Sequence, residues 1–251
     1  MIQISSHYLI TENDNSQAEN SIIMMFAIAA ILLISLIFGP QIWARHVFKK
    51  YAVEIEAFPG TGGELAEHLV KRLDLTDVHV EEGEQNENYY DPENKLVKLS
   101  ADNFNGKSLT AISVAAHEIG HAIQHQVGYQ PLLLRSRLAR FSWYAEKLAA
   151  VLLVAFPFIS ILTRLPAVGV FTFACGLAIL LLPVLVNLVT LPVEWDASFK
   201  RALPVLIAGE YIPESAVPIA KQILTAAALT YLAASLASLL NFYRWVAFLR
   251  R

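Results

Sequence analysis

The sequence predicts an α-helical membrane protein carrying a small α+β domain, with about four transmembrane helices. Three observations predict it. The 251 residues are 55% hydrophobic with a mean hydropathy of +0.47, which is too apolar for an ordinary soluble domain. The apolar residues gather in four runs, each approaching the length of a bilayer crossing. One polar stretch, residues 51–147, is long enough to be a domain.

Taken in order, residues 1–20 form a polar head with Glu12, Asp14 and Glu19 and no lysine or arginine, so they lack the basic start of a signal peptide. Residues 21–38 are almost wholly apolar and read as the first transmembrane helix, closed by Gly39-Pro40. Trp43, Arg45, His46, Lys49 and Lys50 follow as an aromatic and basic collar, which places residue 50 and the domain after it in the cytoplasm. Within 51–147, Val53-Glu54-Ile55-Glu56 alternates like a strand, Gly60–Gly63 is a turn, and Leu65, Leu69, Val70 and Leu73 have helical spacing. Val78–Glu81 alternates again, and Tyr-Asp-Pro-Glu-Asn at 90–94 is a turn signature, so residues 89–99 read as a hairpin or as a strand entered through a tight turn. That strand either offers an open edge to an extended peptide or is a plain structural strand. Pro131–Lys147 mixes leucine, Phe141 and Trp143 with Arg135, Arg137, Arg140 and Lys147, as in a helix lying on an anionic membrane surface. Residues 148–163 and 167–191 read as a transmembrane hairpin, joined through Arg164-Leu165-Pro166. Residues 192–215 form the segment that carries the candidate third metal ligand, 219–241 hold the fourth apolar run, and 242–251 are a basic tail.

Composition also excludes. A net charge of −3 with scattered basic residues leaves no nucleic-acid footprint. The single cysteine, Cys175, rules out an intrachain disulfide and a cysteine-based metal site. A transporter is disfavoured, because the apolar runs hold no ionisable residue at mid-depth.

The chemistry concentrates in His117-Glu118-Ile119-Gly120-His121, an H-E-x-x-H motif within an apolar helical run. Residues four apart on a helix lie one above the other, so the two imidazoles can converge on one ion. Glu118, on the edge of the same face, is placed to accept a proton from a metal-activated water and deliver it to a leaving amine. A catalytic zinc takes three protein ligands and keeps one position for water, so a third ligand is required. His125 continues the stripe but lies about 12 Å along the axis from His117, too far to share the ion, and reads as a polar-face or supporting residue. Glu194 and Asp196 are acids at the end of the third apolar run, returned to the same side by two crossings. Pro192 would start a fresh helix presenting Glu194 in its first turn. Asp196 is then an acceptor orienting a ligating histidine, or the ligand itself.

These residues resemble the YugP-like family of bacterial membrane zinc metallopeptidases. The resemblance is carried by Thr61-Gly62, Tyr90-Asp91-Pro92 with Val97–Ser100, Ser108-Leu109, the block Val114–Gln124 and Leu191–Ser198. HtpX-type membrane proteases look like more distant relatives. The resemblance implies a zincin-like cytoplasmic domain of the gluzincin type and one catalytic Zn2+. It also implies His117, His121 and Glu194 as ligands, and Glu118 as base. Tyr89 departs from the family pattern, which has a histidine before Tyr-Asp-Pro. Tyr90 is a candidate oxyanion donor. The expected activity is hydrolysis of peptide bonds in a protein or peptide substrate at the cell membrane, with lipids as partners and no nucleic acid. The rival is a non-catalytic membrane adaptor in which a structural zinc staples the domain to the third apolar helix.

Overall fold

A computed structural model of the protein describes residues 21–230 apart from 22, 26, 29, 30, 33, 36, 37, 86, 180 and 181. The polar head 1–20, the basic tail 242–251 and residues 231–241 of the fourth apolar run lie outside the described residues. So do parts of the first run, 21–38.

The first continuous helix is α1, residues 38–50, which buries Ala44 and Val47. The expected strand at Val53–Glu56 does not form. Val53 is exposed and the stretch is irregular, held by one main-chain bond from Ile55 N to Lys107 O; alternation alone makes no strand where no partner backbone lies alongside. α2 (Gly62–Arg72) starts at a capping box in which Thr61 Oγ1 accepts from Glu64 N and Glu64 Oε2 accepts from Thr61 N. Its face of Leu65, Ala66 and Leu69 is buried.

β1 (His79–Gly83), β2 (Tyr89–Asp91) and β3 (Leu96–Ser100) form a sheet in the order β1-β3-β2, with β1 parallel and β2 antiparallel to β3. The β2–β3 hairpin turns where Asp91 Oδ1 accepts from Glu93 N and Asn94 N. β3 therefore has a neighbour on each side and is a structural strand; among the described residues the sheet's open edges belong to β1 and β2, not to the strand nearest the motif.

α3 (Ala101–Phe104) leads to α4 (Leu109–Gln126), which is N-capped by Ser108 and carries the H-E-x-x-H motif. Gly128, at φ +65°, ends that helix and turns the chain into α5 (Gln130–Thr163). α6 (Pro166–Ile179) packs back on α5, as does α7 (Leu182–Asp196). Then come a π-helical turn (Ala197–Ala202), α8 (Leu203–Ala208), a short 3-10 turn (Glu214–Ala216) and α9, residues 217–230. The core draws on the chain from Ala44 to Ala226, with α4 near its centre.

Among the described residues no helix is long and apolar enough to cross a membrane, which overturns the expectation of about four transmembrane helices. The hydrocarbon core of a bilayer is about 30 Å thick. α5 is longer, but charged residues occupy its first half, and its apolar part, 148–163, is about 24 Å. The cytoplasmic placement drawn from charges flanking those runs has no described span to rest on.

Candidate metal centre

Buried α4 holds His117 and His121 one turn apart, their rings 4.8 Å between centroids and edge-on. The backbone of the π-helical turn presses directly against this helix at Gly120, where a Cβ would lie 2.7 Å from Ala197 O. That close approach carries the end of α7 onto the histidines. Glu194 Oε2 comes within 3.1 Å of His117 Nε2 and 3.2 Å of His121 Nε2, and the carboxylate side chain is fully buried. Pro192 does not open a new helix as expected; it lies inside α7, which continues through it to Asp196. Packing of α7 on α5 accompanies that continuation, at the cost of the main-chain bond that proline cannot donate.

Each histidine is oriented from behind. Gln124 Nε2 donates to Val193 O and Asp196 Oδ2, both at 2.9 Å, so its Oε1 faces His121 Nδ1 at 3.0 Å and can only accept. Ser198 Oγ gives its single hydrogen to Leu224 O at 3.3 Å and so accepts from His117 Nδ1 at 3.1 Å. Both rings thus carry the hydrogen on Nδ1 and turn an Nε2 lone pair toward the Glu194 carboxylate. Three acceptor atoms, all within 4.8 Å of one another, repel unless a cation lies among them. Two imidazole nitrogens and one carboxylate oxygen match the donor set of a zinc site, so the residues present fit that ion.

Electrostatics agree. Burial alone would raise the Glu194 carboxyl, yet the field of His121 and hydrogen bonds with both imidazoles hold it well below the usual carboxylate range. Those hydrogen bonds require a hydrogen on Nε2, which takes the place of a cation between ring and carboxylate and acts on that carboxylate in the same sense. Glu118 differs: burial pushes its carboxyl up to about 7, with Glu194 adding to the rise and His117, Arg135 and the Tyr90 main-chain N–H opposing it. A cleft of about 440 Å3 opens onto His117 and Glu118, walled by Arg45, Lys49, Asn88 and Asp102.

The sequence profile of the family described as "Putative neutral zinc metallopeptidase" matches residues 24–250. The chain belongs to this family. It is also 35% identical over 225 residues to "Putative membrane protease YugP" of Bacillus subtilis (strain 168), covering 89% of this chain and 96% of that protein. No solved structure matches. Membership of a zinc metallopeptidase family implies zinc, and His117, His121 and Glu194 are the cluster able to hold it among the described residues.

Of the other residues expected at this site, Asp196 does not reach the histidines. It accepts from Gln124 and from Arg201 Nε at 3.3 Å, and so stands behind His121 through one intervening amide. The Tyr90 hydroxyl, expected near the reacting carbonyl, is spent on His125, with Oη 2.8 Å from Nδ1. Burial lifts that phenol to about 12 and lowers the His125 imidazole, so a neutral hydroxyl meets a neutral ring. Tyr90 reaches Glu118 through its main chain instead. Sequence reasoning missed three residues. Gln124 follows His121 by three, a spacing that puts it on its partner's helix face, whereas Ser198 meets His117 from another element and leaves no such local signal. Arg135, read as a membrane-surface cation, has Nη1 3.0 Å from Glu194 Oε1.

Proposed function

We propose that the protein is a zinc-dependent metallopeptidase that hydrolyses peptide bonds with one zinc ion. In this reading His117 Nε2, His121 Nε2 and Glu194 Oε2 are the ligands and Glu118 is the general base. The observation that carries it is the convergence of two imidazole lone pairs and a buried carboxylate oxygen, with a second buried carboxyl beside them. When bound, zinc supplies Lewis acidity to a water and to the scissile carbonyl. The chain's own residues do the rest. Gln124 and Ser198 hold the imidazoles in one tautomer, Glu194 fixes the negative charge between them, and Arg135 balances that charge. Glu118, lifted into the neutral range, takes a proton from the attacking water onto its carboxylate and returns it to the departing amine nitrogen. The cleft along α1, α3 and α4 is the path for an extended peptide.

We read the enzyme as an endopeptidase working at a membrane surface, with lipids as its second partner. Two facts support that setting: the Bacillus relative is named a membrane protease, and α5 exposes Phe141, Trp143, Tyr144 and Leu148 beside Lys147. The adaptor reading is weaker, since family membership points to a peptidase and a structural staple has no use for a buried carboxyl beside the ligand set.

The test is cleavage of a terminally blocked peptide library by the zinc-loaded protein in detergent, beside Glu118→Gln. Cleavage by the parent alone, at internal bonds, is the expected result. Zinc bound at one equivalent with no cleavage by either protein would favour the adaptor.

A further inference from the structure

The two oxygens of Glu194 have different partners. Oε2 faces His117 and His121, while Oε1 meets Arg135 Nη1 at 3.0 Å. Arg135 comes from α5, an element outside the motif helix, and Leu132 one turn earlier on the same face is buried and anchors it. The arginine side chain is only a quarter exposed and the carboxylate not at all, so the ion pair is shielded from water on the Glu194 side. Such a pair is held strongly, because removing one partner strands the other charge in the protein. It also restricts the carboxylate. With Oε1 engaged, Glu194 presents one oxygen to the histidines and cannot turn both toward the same point.

We propose that Arg135 is a positioning residue that keeps Glu194 a one-oxygen ligand, and so holds a coordination position open for water and substrate. The inference rests on the ligand reading above and goes beyond it. A carboxylate freed of its arginine can turn both oxygens to a metal, which raises the coordination number and closes the position that chemistry needs. The same guanidinium also lies close enough for its charge to favour ionised Glu118.

Cobalt(II) replacing zinc provides the test, because its visible absorption reports coordination number without any turnover. The full chain in detergent is titrated with Co2+ as parent, Arg135→Met, Arg135→Lys and Arg137→Met, with zinc affinity measured by competition. The parent is expected to bind one equivalent with intense bands of a four-coordinate site. Arg135→Met should show weaker bands of higher coordination and roughly tenfold lower zinc affinity, the lower end of what loss of an outer partner costs. Arg135→Lys, which keeps the charge, should return the bands toward the parent, and Arg137→Met should match the parent. Unchanged bands and affinity in Arg135→Met overturn the inference while leaving the ligand reading intact. So do bands that shift equally in Arg135→Lys, since packing and not charge would then be at work. No cobalt bound by the parent overturns the ligand reading, and this inference with it.

Discussion

Two helices that follow one another in the chain meet opposite fates. α4 buries fifteen of its eighteen residues and places three ionisable side chains in the interior. α5 is 34 residues long, yet Phe141, Trp143, Tyr144, Val151, Val154 and Phe158 are exposed, and it touches the site through Arg135. Both are rich in apolar residues, so apolar content does not tell them apart. What differs is whether polar groups find partners within the protein. α4 can be buried because Gln124, Ser198 and Glu194 meet its histidines. The chain should accordingly be intolerant of change along the contact of α4 with the π-helical turn, and tolerant along the outer face of α5.

The largest expected effect is at Glu118. Glu118→Gln should lower kcat/KM by about 10²- to 10⁴-fold with zinc content unchanged, read by peptide hydrolysis and metal analysis. Gly120→Val comes next. Its Cβ would meet Ala197 O, so α4 and the turn must part, and we expect about 1–3 kcal/mol lost in denaturant unfolding together with weaker zinc binding. Gln124→Leu and Ser198→Ala each remove the acceptor behind a ring and should weaken zinc binding about 10- to 100-fold in competition titrations. If either left affinity untouched, the burial of α4 would owe nothing to those partners, and the contrast would lose its cause.

Acidity sharpens the same point. Glu118 has its ordinary value of 4.5 when unfolded and about 7 when folded, so the folded chain holds more protons between those values. Stability of the metal-free protein should therefore fall as pH rises from about 4.5 to about 7, and Glu118→Gln should flatten that slope in thermal melts. Glu194, lowered on folding, acts in the opposite sense and only near the acid end of that window, where its unfolded carboxyl is still partly protonated. The smallest effect is expected on α5, where Phe141→Ser or Trp143→Ser should change unfolding stability by no more than about 0.5 kcal/mol. A loss well above 1 kcal/mol would show that this face is packed after all, and would break the comparison.

The legible parts of the sequence were those governed by local periodicity. The motif helix follows from apolar spacing, and the β2–β3 hairpin from Asp91-Pro92-Glu93-Asn94. The meeting of Glu194 with the histidines was visible as an acid where none is needed for packing, although the helix start assigned to Pro192 was not real. Residues chosen by tertiary approach were not legible. Arg135 shares its segment with Arg137 and Arg140, and nothing in composition separates the cation that turns inward from its neighbours. Val53–Glu56 failed because a strand needs a neighbour, which four alternating residues cannot report. The transmembrane helices were read from hydropathy, which sums apolar residues along the chain, and among the described residues no helix is both long and apolar enough to cross a membrane.

The π-helical turn at Ala197–Ala202 holds one residue more than an α-helical path of the same rise would use. Read as an insertion, that surplus residue rotates everything after it by about 100° relative to α7. Glu194 and Ser198 therefore address the histidines while Leu203 and Leu206 still turn into the core behind them. A single-codon deletion within 197–202 would straighten the helix, leave Glu194 where it stands and swing those leucines toward the outside. Relatives whose lengths differ by one residue in this segment would thus carry the same carboxylate on a differently wound scaffold, and an alignment that slides a gap through it would pair the wrong side chains.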